Sequence, residues 1–140
     1  VKKKIFSVIG LLTVSLLLLV ASLACSADKI TASLGQEFTL PVGQTAIISG
    51  ESLSIKFVEV TGDSRCPTGV QCIQAGDVKC LMLIKYMQST SSLVYTQSGG
   101  NDNSPEVFNK YIISFRVEPY PESGKQIAGS DYKLVMTVTE

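Results

Sequence analysis

The side chains best equipped for chemistry cluster between Asp63 and Cys80. The stretch DSRCPTGVQCIQAGD, residues 63–77, holds Asp63, Ser64, Arg65, Cys66, Cys72 and Asp77, and Cys80 follows. Three kinds of reaction could use them. A serine nucleophile at Ser64 needs a base, usually histidine, and the chain has no His. A Ser–Lys pair with Lys56 or Lys79 is the remaining form, and the spacing singles out neither. Carboxylates at Glu59, Asp63 and Asp77 would suit glycoside hydrolysis if held about 5–9 Å apart, but acidic residues at strand ends are usually solvated. Metal binding would have to use C-x5-C-x7-C without a C-x2-C pair, whereas structural zinc takes four closely spaced Cys or His ligands. That spacing also lacks the C-x-x-C arrangement of redox proteins. No metal, cofactor or catalytic residue is therefore assigned.

Rigidity is the better use of these sulfurs. Cys66 and Cys72 flank Pro67, Thr68 and Gly69, which can fold back tightly, so this pair is expected to bridge. Cys72–Cys80 and Cys66–Cys80 are the alternative pairings. A seven-residue loop closed in this way stabilises by about 2–2.5 kcal/mol in the chain-entropy model. Cys80 shares parity with Val78, Met82 and Ile84 and is expected to be a buried free thiol. Arg65 reads either as an ion-pair partner of Asp63 or Asp77 or as the prominent contact of a recognition loop running from Asp63 to Asp77. Asp63 and Ser64 also suit a turn in which side chains bond nearby backbone.

Asp63-Ser64-Arg65-Cys66-Pro67, then Cys72 and Ala75-Gly76, resembles a motif in a broad group of uncharacterised bacterial secreted proteins and lipoproteins. In that group Trp usually stands where this chain has Gln74. The likeness extends to Val117-Glu118-Pro119-Tyr120-Pro121 and Ser130-Asp131-Tyr132. It implies a disulfide-stapled β domain and lends no activity.

Strands must position this cluster. Leu53–Thr61 alternates through Leu53, Ile55 and Phe57, then shifts parity to Val58 and Val60, which predicts a bulge near Phe57. Val78–Met87 is apolar on both faces and predicts a central strand. Tyr111, Ile113, Phe115 and Val117 alternate, as do Tyr132, Leu134, Met136 and Val138. Glu37–Leu40, Thr45–Ile48 and Ser92–Gln97 complete the set. Period-2 runs separated by Gly, Pro, Asn and Ser predict an all-β, immunoglobulin-like two-sheet sandwich over residues 37–140. Ser98 to Glu106 reads as a loop. Asn101, Asp102, Asn103 and Glu106 offer oxygen ligands, but EF-hand order is lacking. Tyr120, between two prolines, reads as a stacking surface for sugar or peptide, or as the blocked edge of a sheet.

The amino-terminal segment says where the domain works. Lys2, Lys3 and Lys4 precede an apolar run from Ile5 to Leu23, the layout of an export signal. Val1 fits a GTG start codon of a bacterial reading frame. Ala21-Ser22-Leu23-Ala24-Cys25 resembles a lipobox, with Ser22 where Leu is usual. Residues 1–24 are accordingly expected to be a lipoprotein signal peptide and Cys25 the lipidated residue. An uncleaved spanning anchor is the alternative, because the run is about the ~20 residues a helix needs. Residues 25–36 read as a polar tether. Losing Lys2, Lys3 and Lys4 leaves nine Lys/Arg against twelve Asp/Glu, a net charge of −3, so nucleic acid is not an expected partner.

These features together predict a non-catalytic lipoprotein, tethered outside the bacterial cytoplasmic membrane. It would serve as a binding module for another envelope protein, a glycan or a small ligand. An extracytoplasmic hydrolase using the carboxylates or a Ser–Lys pair, and a purely structural envelope component, are the alternatives.

Overall fold

The computed structural model describes residues 28–100 and 103–140. The expected signal peptide, the lipidated Cys25, and Asn101 and Asp102 of the oxygen-rich loop lie outside the described residues. Among the described residues there are nine strands: β1 Lys29–Ala32, β2 Glu37–Pro41, β3 Thr45–Ile48, β4 Leu53–Asp63, β5 Asp77–Tyr86, β6 Ser89–Ser98, β7 Ser104–Phe108, β8 Tyr111–Glu118 and β9 Lys133–Thr139. One sheet has the order β1-β3-β4-β5-β6 and the other β2-β9-β8-β7. The fold is the expected two-sheet sandwich. Within it, β3 to β6 and β7 to β9 each form a meander, unlike the repeated sheet crossings of an immunoglobulin constant domain.

Alternation decides which residues meet between the sheets. Leu53, Ile55 and Phe57 of β4, with Val78, Cys80, Met82 and Ile84 of β5, are buried against Tyr111, Ile113, Phe115 and Val117 of β8 and Leu134, Met136 and Val138 of β9. The β4–β5 register slips between Phe57 and Glu59 and again between Val60 and Gly62. The first slip is the bulge that the parity change of β4 predicts. It turns Val60 inward, opposite Cys80. Tyr95 of β6 stacks on Phe115 of β8 with centroids 6.1 Å apart, joining the two sheets.

Two expectations need correction. Residues 25–36 are not simply a polar tether, because β1 pairs in parallel with β3 from Lys29↔Thr45 to Ala32↔Ile48. Ala32 is buried and Ile30 packs on the core, so a four-residue alternation too short to stand out is completed by its neighbour. The chain then crosses to the other sheet through a turn at Gly35, whose φ of +73° suits glycine. The segment from Ser98 to Glu106 is likewise not all loop. Its second part is β7, an edge strand that accommodates Pro105 because one of its sides needs no ladder donor.

Candidate functional site

The stapled segment is the connection between β4 and β5, two central neighbours of the larger sheet. Pairing continues into it: Ser64 N–H donates to the Asp77 carbonyl (2.7 Å) and Cys66 N–H to the Ala75 carbonyl (2.9 Å). Gly76 has φ +71°, and a Cβ there would lie 1.9 Å from the Ser64 carbonyl oxygen. Only glycine permits this backbone approach. The Gly76 carbonyl in turn accepts from Gly99 N–H (2.8 Å) at the end of β6.

Beyond this base, Cys66 and Cys72 form the expected disulfide, with Cα atoms 6.0 Å apart. Cys80 is free and buried. Burial pushes its thiol up to about 12, so it stays protonated at neutral pH and behaves as a small apolar side chain. A second attachment holds the loop from the other side. Thr68 N–H donates to the Pro121 carbonyl (2.9 Å), and Ser123 N–H to the Thr68 carbonyl (3.2 Å). The stapled loop is thereby docked on the crossover, residues 119–132, that links β8 to β9.

Arg65 is the hinge pin of this docking. The residue is 3% exposed. Its Nε and Nη2 donate to the two carboxylate oxygens of Asp63 at 2.9 and 2.6 Å. Its Nη1 donates to the Val117 carbonyl (2.7 Å) and Nη2 also to the Pro119 carbonyl (3.0 Å). The guanidinium lies 5.1 Å from the centre of the Tyr120 ring, a cation–π distance. Asp63 further accepts from the Arg65 backbone N–H (3.1 Å) and the Tyr132 hydroxyl (3.0 Å). Partial burial alone would raise the Asp63 carboxyl, but the Arg65 hydrogen bonds and charge, with Tyr132, outweigh it and hold the group below its usual range. Burial and the facing Asp63 push the Tyr132 hydroxyl up to about 12, so it stays a donor.

The prominence expected of Arg65 in recognition is therefore corrected. Its fork is turned inward, because carbonyls at the end of β8 and the Asp63 carboxylate match its donors better than water at a buried position. Tyr120 is half-buried beside it, in the crossover after β8 rather than on an edge strand, and lines an open hollow with Arg116, Glu118 and Lys133. Ser64 Oγ bonds the Asp77 carboxylate (3.2 Å) and carbonyl (3.1 Å) and accepts from Asp77 N–H (3.0 Å). The aspartates are thus drawn to different partners, Asp63 to Arg65 and Asp77 to Ser64, while Glu59 stands exposed on β4. Asn103 receives a weak bond from Arg116 (3.4 Å). Among the described residues, no group of three or more His, Cys, Asp or Glu could hold a metal ion.

Between loop and crossover runs an open groove of about 420 Å³. Its lining includes Thr61, Asp63, Pro67, Lys125, Gln126 and Tyr132. Lys125 to Ile127 were not singled out by sequence reasoning. They lie in an irregular stretch without periodicity, and only the long-range contacts of Thr68, Arg65 and Asp63 with residues 119–132 bring them to the stapled loop. No protein-family model, curated protein or solved structure matches this chain.

Proposed function

We propose that this protein is a non-catalytic lipoprotein of the bacterial envelope, anchored through Cys25. On this reading the groove between the docked loops, residues 64–76 and 119–132, forms its recognition surface. The observation that carries the reading is the fate of the reactive side chains. Asp63, Ser64, Arg65 and Asp77 are tied to one another and to backbone, and Arg65 is buried. Groups held in this way rigidify a surface and are poorly placed to attack or transfer a proton to a substrate. The export-type segment ending at Cys25 and the likeness of Asp63 to Pro67 to bacterial secreted proteins favour the same location.

The groove beside Lys125 and Gln126 is where an envelope protein or glycan would lie. Its walls are preformed by a disulfide and a buried ion pair, so binding would order little of the protein. Detergent-solubilised envelope passed over the immobilised protein tests this. A ligand retained by the wild type should be lost on Lys125→Glu or Gln126→Ala, with thermal stability unchanged. Equal recovery by wild type and both variants would remove the groove from consideration.

A further inference from the structure

We infer that the stapled loop is a membrane-contact element, with its tip from Val70 to Ile73 seated in the headgroup–acyl boundary of the bilayer that holds the protein. This rests on the lipid-anchored reading of Cys25 and adds which end of the domain meets the lipid.

Strand register gives the direction. Lys29 of β1 lies opposite Thr45 in a parallel pair, and Thr45 lies opposite Lys56 in an antiparallel one. The chain ahead of Lys29 therefore points the way β4 runs, toward Asp63 and the stapled loop. Thr45 N–H donates to the Asp28 carbonyl at 2.8 Å, so the chain is held by the sheet as far as Asp28. Ser26 and Ala27 alone separate Asp28 from Cys25. Three Cα steps reach about 11 Å at full extension. From the level of Lys56, opposite Leu83, to that of Asp63, opposite Val78, the strand distance is about 17 Å at some 3.4 Å per residue. Counted from the level of Lys29, the step to Asp28 adds about 3.4 Å, so Cys25 reaches about 14 Å, roughly 3 Å short of the ends of β4 and β5 and on the same side of the domain as the stapled loop. A domain standing on acyl chains at Cys25 presses that loop into the surface.

The loop's chemistry suits this position. No charged side chain occurs from Cys66 to Gly76. Ile73 is fully exposed and Val70 is 48% exposed, although each would be better removed from water. The faces of β4 and β5 turned away from the core carry Lys56, Glu59, Lys79 and Lys85, whose dehydration is costly. The disulfide and the attachment to Pro121 already fix the loop, so insertion would sacrifice little chain entropy.

The chain contains no Trp, so Ile73→Trp supplies a unique fluorophore at a site with no packing to disturb. Gln88→Trp, in the turn at the far end of β5, is the control. The full-length lipidated protein would be reconstituted in phosphatidylcholine vesicles with brominated acyl chains. Emission from Trp at position 73 should fall at least about twofold relative to unbrominated vesicles, as expected for interfacial burial, while Trp at position 88 is unaffected. Equal responses at both positions overturn the inference. So does a blue-shifted but unquenched signal at 73, which would mean that a second copy or another protein covers the loop. Mass spectrometry of the amino-terminal peptide separates the two readings. Unacylated Cys25 sinks the anchor and this inference together, whereas acylated Cys25 with no quenching at 73 sinks this inference alone.

Discussion

The Arg65 guanidinium joins three segments: Asp63 at the end of β4, the Val117 carbonyl in β8 and the Pro119 carbonyl in the crossover. Its side chain is fully buried and that of Asp63 is 9% exposed. Removing one partner of such a pair leaves the other charge buried and costs about 3–5 kcal/mol. Arg65→Ala should lower stability by that order in urea unfolding. Arg65→Lys should recover only a small part, because an ammonium cannot meet both carboxylate oxygens and two carbonyls. The pair also predicts the acid limb of stability. The folded Asp63 carboxyl lies below its ordinary value of 3.8, so its contribution is complete above that value. It is lost as pH falls from 3.8 through the lower folded value. Asp63→Asn should lower stability at neutral pH and flatten this limb in urea midpoints measured between about pH 2 and 6. That Arg65 faces an aspartate was one of two sequence readings. Its inward direction was not legible, because the carbonyls that draw it in lie 52 and 54 residues away.

The β4–β5 connection owes its shape to three short-range devices: continued pairing at its base, glycine at position 76 and the Cys66–Cys72 bridge. Cys66→Ser with Cys72→Ser should cost about 2–2.5 kcal/mol, the closure entropy of so short a loop. Gly76→Ala should cost about 3 kcal/mol or more, since its Cβ would overlap the Ser64 carbonyl at a left-handed φ. Urea midpoints check both, and a glycine variant as stable as wild type would refute the close approach. The disulfide was legible because Pro67 and Gly69 sit between nearby cysteines. The long alternating strands were legible as well, down to the bulge near Phe57. β1 was missed because four residues carry too little pattern, and β7 because Pro105 and the preceding Gly-Gly argue locally for a loop. The docking of Thr68 on Pro121 has no local signal at all.

Cys80 sits in the single core between the sheets and reports on the molecule as a whole. Its thiol, pushed up by burial to about 12, should resist iodoacetamide in the folded state at pH 8. Alkylation should begin only with the loss of far-UV circular dichroism along a urea titration. Modification well below that midpoint would show that the sheets separate before they unfold. A domain built on one core is expected to unfold as one unit. By itself, the amino-acid order determined the strands other than β1 and β7, the two-faced sandwich they build and the disulfide, because backbone period and short-loop closure depend on neighbours in sequence. Tertiary structure alone decided that Arg65 turns inward, that residues 125–127 join the stapled loop, and that β1 pairs in parallel with β3. Those outcomes depend on which distant segments pack together, and distant packing satisfies buried donors and apolar faces that no local pattern can assign.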